Sequence, residues 1–165
     1  MDKNIILTGM RGSGKTTIGK ELAALMNRKF IDLDEEIEKH VGMPISKIVE
    51  KHGWNHFRKL EKEVNKKVAQ LRNLVIATGG GTIIDIENEK ILRKNGFIVF
   101  LKCPVKILAE RIKNSETRPS LTDKPVLEEL EEVWQERKQR YEESADLVFD
   151  SSNKNPTKTL FSLLP

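Results

Sequence analysis

The segment that most constrains this chain is a phosphate-binding motif close to its N-terminus. Residues 9–16 read Gly-Met-Arg-Gly-Ser-Gly-Lys-Thr, which matches the pattern G-x-x-x-x-G-K-[ST] in full. The motif follows an apolar stretch at 4–8 and opens a segment with helical apolar spacing, so it predicts a strand, a loop and a helix in succession. A chance glycine-rich turn is the alternative reading. The strand and helix on either side favour a loop that binds nucleotide phosphates.

The residue types in this loop explain how it would hold a nucleotide. Glycines let the backbone curl so that its N–H groups converge on phosphate oxygens, and the following helix N-terminus favours negative charge. Lys15 is predicted to bridge the terminal phosphates, and the Thr16 hydroxyl is predicted to bind Mg²⁺. The loop therefore predicts binding of a nucleoside triphosphate with its metal ion.

Strand-like and helical segments alternate along the rest of the chain. Five apolar runs have strand character, at 4–8, 30–33, 74–78, 97–101 and 146–149. They are mostly continuous rather than alternating, which is typical of strands buried on both faces of a parallel sheet. Helical apolar stripes lie between them, for example Ile18, Leu22 and Leu25. The pattern predicts a doubly wound α/β domain with a five-stranded parallel sheet, whose ligands bind at the carboxyl edge.

Composition narrows the class of protein further. The 165 residues suit one domain, and 33% are charged, as expected for a soluble globular chain. The net charge of +4 is small and evenly mixed with acidic residues, and only 5% of residues are aromatic, so a nucleic-acid partner is not expected. No apolar run approaches membrane-spanning length and the N-terminus lacks a signal layout, so no membrane partner and a cytoplasmic location are expected.

Two carboxylates follow the second predicted strand. Asp32 and Asp34 are two residues apart, and period 2 predicts that they lie on one side of the strand, facing the phosphate loop. One acid would hold Mg²⁺ and the other would accept a substrate hydroxyl. The alternative is that Asp34 caps a helix at 35–40. No acid follows the third strand, so Asp32 is the better metal candidate.

Glycines and arginines form a second set of candidates. Gly79, Gly80 and Gly81 follow the third strand, where they suit close approach of a small polar ligand or form a simple flexible turn. Arg58 stands three residues before Glu61, which either orients its guanidinium for a carboxylate or forms an ordinary surface pair. Arg118 lies in a polar segment that we interpret as a mobile lid. Spacing alone does not separate these arginines, or Arg137 and Arg140, from solvated surface residues.

Other chemically capable residues point to no second site. His52 and His56 are four residues apart, but the segment between them lacks the glutamate of the zinc motif H-E-x-x-H, which favours structural or surface histidines. Cys103 is the single cysteine, so no internal disulfide is expected. No partner base is evident near it.

Taken together and in this order, these segments resemble the shikimate kinase family, a group of P-loop kinases related to nucleoside monophosphate kinases. The resemblance covers nearly the whole chain. It rests on residues 9–17, 30–34, Phe57-Arg58 with Glu61, Gly79–Gly81, Arg118-Pro119-Ser120-Leu121, and Glu136-Arg137 with Arg140-Tyr141-Glu142. Arg140 stands where the family commonly has leucine, and Ser120 replaces a leucine of the lid.

The resemblance implies an ATP-dependent phosphotransferase that acts on the 3-hydroxyl of shikimate, in aromatic amino-acid biosynthesis, with ATP and Mg²⁺. It implies a single kinase domain over 1–165 with a P-loop kinase fold, a lid at about 112–124 and a shikimate-binding helical region at about 34–61. We expect a monomer.

The resemblance also implies roles for individual residues. Lys15, Asp34 and Arg118 would be catalytic, with Asp34 orienting or deprotonating the hydroxyl. Shikimate would contact Asp34, Arg58, Gly79, Gly80, Gly81 and Arg137. Thr16 and Asp32 would hold Mg²⁺. The nucleotide would contact Gly12, Ser13, Gly14, Lys15, Thr16, Thr17, Arg111, Arg118 and Lys154.

Two other functions remain open from the residues. One is a related small kinase that acts on gluconate or a nucleoside monophosphate, although a nucleoside would need a base pocket rather than a carboxylate clamp. The other is a nucleotide-binding protein without catalytic activity, which Lys15, Asp34 and Arg118 disfavour.

Overall fold

A parallel sheet organises the part of the chain that the computed structural model describes, residues 2–113 and 124–165. Its five strands lie in the order β2-β3-β1-β4-β5, and every neighbouring pair is parallel. The strands are β1 (Asn4–Thr8), β2 (Lys29–Asp32), β3 (Leu74–Ala77), β4 (Gly96–Lys102) and β5 (Leu147–Asp150). Each predicted strand differs from the observed one by no more than one residue at either end, and the predicted doubly wound α/β fold is confirmed.

Helices cover both faces of this sheet. They are α1 (Lys15–Leu25), α2 (Leu33–Val41), α3 (Ile45–Val68), α4 (Ile86–Arg93), α5 (Val105–Ile112), α6 (Val126–Ser144) and α7 (Pro156–Leu163), with a short 3₁₀ turn at Thr82–Ile84 before α4. None of the helices in the described ranges is long and apolar enough to cross a lipid bilayer.

Alternate residues of the central strands enter two separate cores. Ile6, Ile76 and Ile98 point to one face, where they pack with residues of α2, α3 and α6. Leu7, Val75 and Val99 point to the other face, against α1 and α7. Burial on both faces explains why the central strands β1, β3 and β4 read as continuous apolar runs.

Local signals account for where the helices begin and bend. Helix α1 starts after Gly14, whose φ of 95° lies in the left-handed region that glycine tolerates. The Asp32 carboxylate accepts hydrogen bonds from the N–H groups of Asp34 and Glu35 and caps α2. Helix α3 continues from Ile45 to Val68 but bends at Gly53, which has φ 79° and ψ 171°. The bend separates the N-terminal part of α3 from the part that carries Arg58.

The predicted lid at about 112–124 lies mostly outside the described residues. Arg118, the arginine predicted to neutralise charge on the transferred group, is also outside them. The helices on either side of this segment, α5 and α6, are both described and pack against each other.

Candidate active site

The carboxyl ends of three neighbouring strands bring the candidate residues together. Leu7 near the end of β1 pairs with Ala77 at the end of β3, and Ala77 pairs with Asp32 at the end of β2. The segments that follow these three strands therefore start side by side at one edge of the sheet. They are the phosphate loop, the first turn of α2 and the Gly79–Gly81 segment, which the sequence places far apart.

The phosphate loop is closed by its own lysine. Lys15 Nζ donates hydrogen bonds to the carbonyl oxygens of Gly9 at 2.7 Å and Met10 at 2.8 Å. Within the loop the Ser13 N–H donates to the Met10 carbonyl at 3.1 Å. Gly12, like Gly14, has a left-handed backbone, with φ 83°. These bonds hold the loop in a tight curve above the start of α1.

A cleft of about 780 Å³ opens on this loop, and we call it the phosphate-side cleft. Several of the predicted nucleotide and metal contacts line it, namely Gly12, Gly14, Lys15, Thr16, Thr17, Asp32 and Arg111. Arg111 Nη1 donates to the Gly12 carbonyl at 3.0 Å, which ties α5 to the loop. Two predicted nucleotide contacts lie elsewhere. Ser13 is a buried residue of the loop and does not line the cleft. Lys154 is exposed and does not line it either, although Ser151 and Pro156, close to Lys154 in sequence, do.

Thr16 and Asp32 both line this cleft, and their side chains contact each other directly. Thr16 Oγ1 donates to Asp32 Oδ2 at 2.8 Å. A hydroxyl and a carboxylate are oxygen ligands, and Mg²⁺ is commonly bound by one or two carboxylates together with nucleotide phosphates. No group of three or more His, Cys, Asp or Glu side chains within the described ranges is arranged to hold a metal by itself. The pair therefore fits a Mg²⁺ ion that arrives with a nucleotide.

The predicted relation between Asp32 and Asp34 is wrong in its geometry. Strand β2 ends at Asp32, and Asp34 already lies in the first turn of α2, so the two do not share one side of a strand. The alternative that Asp34 is the helix cap is also wrong, because Asp32 caps α2. Asp34 nevertheless lines the phosphate-side cleft together with Lys15, since the helix turns it toward the same edge.

A second cavity adjoins the phosphate loop, and we call it the arginine cavity. It is lined by Met10, Arg11, Trp54, Arg58, Gly80, Gly81, Glu129, Leu130, Val133 and Arg137. Arg11 lines both this cavity and the phosphate-side cleft, so the two are neighbours. A carboxylate ligand is well matched to several guanidinium groups facing one space, because each can donate two parallel hydrogen bonds.

A buried glutamate fixes the position of Arg58. Arg58 Nη1 lies 3.0 Å from Glu61 Oε1, and the side chain of Glu61 is 1% exposed. Glu61 also accepts a hydrogen bond from Thr82 Oγ1 at 2.7 Å. A carboxylate removed from water needs such partners, so Glu61 restrains the guanidinium. The guanidinium carbon also lies 5.6 Å from the Trp54 ring centroid.

The backbone at Gly81 allows Arg58 to come this close. A Cβ atom at Gly81 would lie 2.3 Å from Arg58 Nη2 and 2.7 Å from its Cζ, closer than any unstrained contact. Gly80 offers its carbonyl to the Tyr141 hydroxyl, and the Gly79 carbonyl accepts the Thr82 N–H at 3.2 Å. The glycine segment therefore allows a side chain to lie close against the backbone, and it is not only a flexible turn.

Three residues of the arginine cavity were not singled out from the sequence. Arg11 occupies one of the positions of the phosphate motif at which any residue is allowed, so the motif predicts no role for it. Glu129 is 4% exposed but belongs to an acidic run that is typical of a solvated helix face. Trp54 stands four residues before Arg58, a helical spacing that brings two side chains together and that could have revealed it.

The remaining candidates stay outside both cavities. The ring centroids of His52 and His56 are 4.7 Å apart on α3, and both residues are exposed. Cys103 is half-buried, and burial is the main cause of the raised pKa of its thiol, which keeps the sulfur protonated. Neither feature joins the chemistry at the sheet edge.

The fold and these two cavities define a class of protein. A phosphate loop between the first strand and first helix, at the carboxyl edge of a parallel sheet, binds nucleotides. Beside it lies a separate cavity with three arginines, suited to an anionic second substrate. Together they are typical of a P-loop phosphotransferase that acts on a small acidic molecule.

Comparison with known proteins identifies the family. A family model described as shikimate kinase matches residues 11–164. A shikimate kinase of Caldanaerobacter subterraneus is 43% identical over 152 residues, which cover 92% of this chain and 88% of that protein. Another from Caldicellulosiruptor bescii is 50% identical over 119 residues, covering 72% of this chain and 69% of that protein. The chain belongs to the shikimate kinase family and is an ATP-dependent phosphotransferase.

Solved structures agree with this assignment over almost the full length. A shikimate kinase from Acinetobacter baumannii in complex with shikimate has a TM-score of 0.91 and 35% identity, covering 98% of this chain and 89% of that one. The Aquifex aeolicus shikimate kinase has a TM-score of 0.83 and 35% identity, with 96% and 94% covered. The described fold is therefore the fold of the family.

Proposed function

We propose that this chain transfers the γ-phosphoryl group of ATP to the 3-hydroxyl of shikimate, with the phosphates in the phosphate-side cleft and the acid in the arginine cavity. The observation that carries the proposal is that Arg11 lines both cavities, so a cavity lined by three arginines adjoins the phosphate loop. The similar protein from Acinetobacter baumannii was solved with shikimate, which supports this acceptor.

On the nucleotide side, the loop from Gly12 to Thr17 would bind phosphates mainly through backbone N–H groups. Ser13 would contribute through its place in the loop, because its own N–H is already bonded to Met10. Arg111 would border the nucleotide from α5, and Lys154 would approach it only by extending from the exposed loop after β5. The Lys15 ammonium would exchange its bonds with two loop carbonyls for phosphate oxygens.

Thr16 and Asp32 would hold Mg²⁺ at the base of the cleft, where the ion would supply positive charge beside the phosphate oxygens. The 2.8 Å bond between these side chains keeps both oxygens on the cleft wall. Asp32 is also held by two N–H groups of α2, so its carboxylate keeps one orientation.

On the acid side, Arg58 and Arg137 would bind the carboxylate of shikimate, and the Gly79–Gly81 segment would border the ring. Glu61 and Trp54 restrain the Arg58 guanidinium before the substrate enters, which lowers the entropy lost on binding. Fixing the acid at its carboxylate leaves one hydroxyl directed to the phosphate-side cleft, and positioning of this kind contributes much of the rate in phosphoryl transfer.

Asp34 is the residue that would act on the nucleophile. It is half-buried in the first turn of α2 and lines the phosphate-side cleft with Lys15. A carboxylate there can accept the proton of the attacking hydroxyl or orient that hydroxyl for in-line displacement.

Coupled ADP-release assays with shikimate, gluconate and CMP as acceptors test the acceptor. We expect turnover with shikimate alone. Substituting Arg58→Ala should raise the KM for shikimate by about 100-fold while the KM for ATP stays unchanged, because a bidentate charged hydrogen bond is lost. Lys59→Ala, at the exposed neighbouring position on α3, is the matched control. Turnover with gluconate or CMP instead, or an unchanged shikimate KM in Arg58→Ala, would contradict the proposal.

Several expectations from the sequence stay predictions. They are a monomeric state, a cytoplasmic location, the absence of nucleic-acid partners and the treatment of residues 1–165 as a single domain. Gel filtration of the purified chain with and without ATP checks the first of these directly.

A further inference from the structure

The 3₁₀ turn at Thr82–Ile84 is bonded to the helix that carries Arg58. Thr82 Oγ1 donates to Glu61 Oε2 at 2.7 Å, and Arg58 Nη1 donates to the other oxygen of the same carboxylate at 3.0 Å. Asn88 Nδ2 on α4 donates to the Thr82 carbonyl at 3.1 Å. Of these four polar residues, Thr82, Glu61 and Asn88 are buried and Arg58 is half-buried, so the turn and the guanidinium of Arg58 form one rigid unit.

The same turn is bonded from its other side by α6, the helix that carries Arg137. Arg140 lies one helical turn after Arg137. Its Nη2 donates to the Ile83 carbonyl at 3.1 Å, and its Nε donates to the Ile84 carbonyl at 3.4 Å. These carbonyls lie at the end of the 3₁₀ turn, and a cationic donor forms stronger hydrogen bonds to carbonyl oxygens than a neutral one.

Glu89 holds the Arg140 guanidinium in this orientation. The side chain of Glu89 is 17% exposed and forms ion pairs with both Arg140 and Arg93. Arg93 also donates to Asp146 at 2.9 Å and to the Ser144 carbonyl at the end of α6 at 2.5 Å, but no contact described for it reaches the 3₁₀ turn. Arg93 and Arg140 therefore share Glu89, while Arg140 alone of the two donates to the turn in the described contacts. Arg93 is therefore a suitable control position for substitutions of Arg140.

Tyr141 adds a second bond between α6 and the glycine segment. Its buried hydroxyl donates to the Gly80 carbonyl, and its ring stacks on Phe100 with centroids 5.0 Å apart. The successive residues Arg140 and Tyr141 thus anchor α6 at two points of the Gly79–Ile84 segment. Arg137, one turn earlier, lines the arginine cavity together with Arg58.

We propose that Arg140 is a positioning residue for the acid substrate, which sets the spacing of Arg58 and Arg137 by tying both helices to one 3₁₀ turn. The inference rests on the proposed function, in which these two arginines bind the carboxylate of shikimate. Two guanidinium groups can bind one carboxylate together only at a narrow range of separations, and a misplacement of about 1 Å costs up to about 10²-fold in rate or affinity. Arg140 acts through the turn and does not touch the substrate.

The first test compares Arg140→Leu with Arg93→Leu. We expect Arg140→Leu to raise the KM for shikimate about tenfold, the equivalent of about 1.4 kcal/mol, and to change the KM for ATP by less than about twofold. Arg93→Leu removes ion pairs with Glu89 and Asp146 and should lower the melting temperature, yet leave the KM for shikimate near that of the unchanged chain. Equal effects of the two variants on this KM would overturn the proposal, because they would indicate a general loss of packing.

Arg140→Lys keeps the assay informative if the leucine variant folds poorly. A lysine keeps the positive charge beside Glu89 but lacks the planar fork in which two nitrogens, Nε and Nη2, bond the two successive carbonyls. We expect its KM for shikimate to lie between those of the unchanged chain and Arg140→Leu. A KM for shikimate equal to that of the unchanged chain would overturn the role given to the two carbonyl bonds.

A double-mutant cycle separates positioning from a general structural role. In a chain that already carries Arg137→Ala, adding Arg140→Leu should change the KM for shikimate by less than about twofold, because there is no second guanidinium left to place. A further tenfold increase would overturn the proposal. If Arg137→Ala alone leaves this KM unchanged, the carboxylate clamp of the proposed function is wrong. If Arg137→Ala is impaired but Arg140→Leu is not, only the inference on Arg140 fails.

Discussion

The two cavities of the active site are built in opposite ways. The phosphate-side cleft is shaped mainly by one continuous loop, whose Lys15 and Ser13 bond to carbonyls within the loop itself. The arginine cavity is lined by side chains of the loop, α3 and α6 and by the backbone of the glycine segment. These parts of the chain meet only after folding. Binding on the first side depends on local backbone, and binding on the second depends on how helices are tied together.

This difference predicts where substitutions act. On the nucleotide side, substituting a single residue should lower turnover strongly, because the rest of the phosphate loop is already held in place by hydrogen bonds within the loop. On the acid side, effects should spread to residues that never touch the substrate, because each guanidinium depends on a network behind it. Three substitutions test this contrast.

Lys15→Ala should have the largest effect. We expect kcat to fall by about 10³-fold, because an ammonium group that neutralises developing charge on the phosphates is lost from a preorganised loop. The variant also loses the bonds to the Gly9 and Met10 carbonyls, so its melting temperature should fall. Coupled ADP-release kinetics and thermal unfolding measure both changes.

Lys20→Ala is the control for this substitution, since Lys20 is exposed on the same helix and does not line the cleft. It should retain the kcat of the unchanged chain. A Lys15→Ala chain whose kcat stays within tenfold of that value would show that the loop backbone alone suffices, and the predicted large effect of a single residue on the nucleotide side would be wrong.

Gly81→Ala should have an intermediate effect confined to the acid side. The new methyl group would lie 2.3 Å from Arg58 Nη2, and the guanidinium cannot move away without disturbing its bonds to the buried Glu61. We expect the KM for shikimate to rise by about 10- to 100-fold, with the KM for ATP unchanged. Steady-state kinetics with each substrate varied in turn give both values.

Gly42→Ala is the matched control for the glycine substitution. Gly42 has a left-handed φ of 77°, but a Cβ atom there would meet nothing within 4 Å. It should cost about 1 kcal/mol of stability through backbone strain while leaving both KM values unchanged. A rise in the KM for shikimate in this control as large as in Gly81→Ala would mean that the effect comes from lost stability rather than from Arg58.

The contrast between the cavities also explains what could be predicted from the sequence. The phosphate loop is contiguous, so its motif, the strand before it and the start of α1 at Lys15 were all predicted. The apolar runs located the strands to within one residue, because the central strands β1, β3 and β4 are largely buried on both faces and therefore consist mainly of apolar residues. These are local consequences of local sequence.

The errors and omissions occur where tertiary structure decides. The period-2 argument for Asp32 and Asp34 failed because Asp32 both ends β2 and caps α2, so the chain changes from strand to helix between the two acids. Glu129 was missed because its acidic neighbours suggest a solvated face, whereas packing of α6 on the arginine cavity buries it. No local pattern reports which face of a helix a distant segment will cover.

Asp85→Asn should have the smallest effect, and it depends on pH. Asp85 caps α4 just after the 3₁₀ turn, and its Oδ2 lies 2.9 Å from Lys62 Nζ on α3. Burial alone would raise the pKa of this carboxyl, but hydrogen bonds from Lys62 and from the Glu87 N–H outweigh it, and the net pKa is lowered. The ionised form therefore stabilises the folded chain at pH values above the ordinary aspartate range, and this contribution is lost as the pH falls through the lowered pKa.

We expect Asp85→Asn to lower the free energy of unfolding by less than about 1 kcal/mol at pH 7, because the ion pair is partly exposed. The difference from the unchanged chain should shrink toward zero as the pH falls below the lowered pKa of Asp85, where this carboxyl is protonated in both the folded and the unfolded state. Glu50→Gln, which breaks an exposed pair with Lys47 within one turn of α3, is the control and should show a smaller difference at pH 7. Denaturant unfolding across this pH range measures both. A difference that grows in acid would have the wrong sign. It would show that the ion pair with Lys62 is not what lowers the pKa of Asp85.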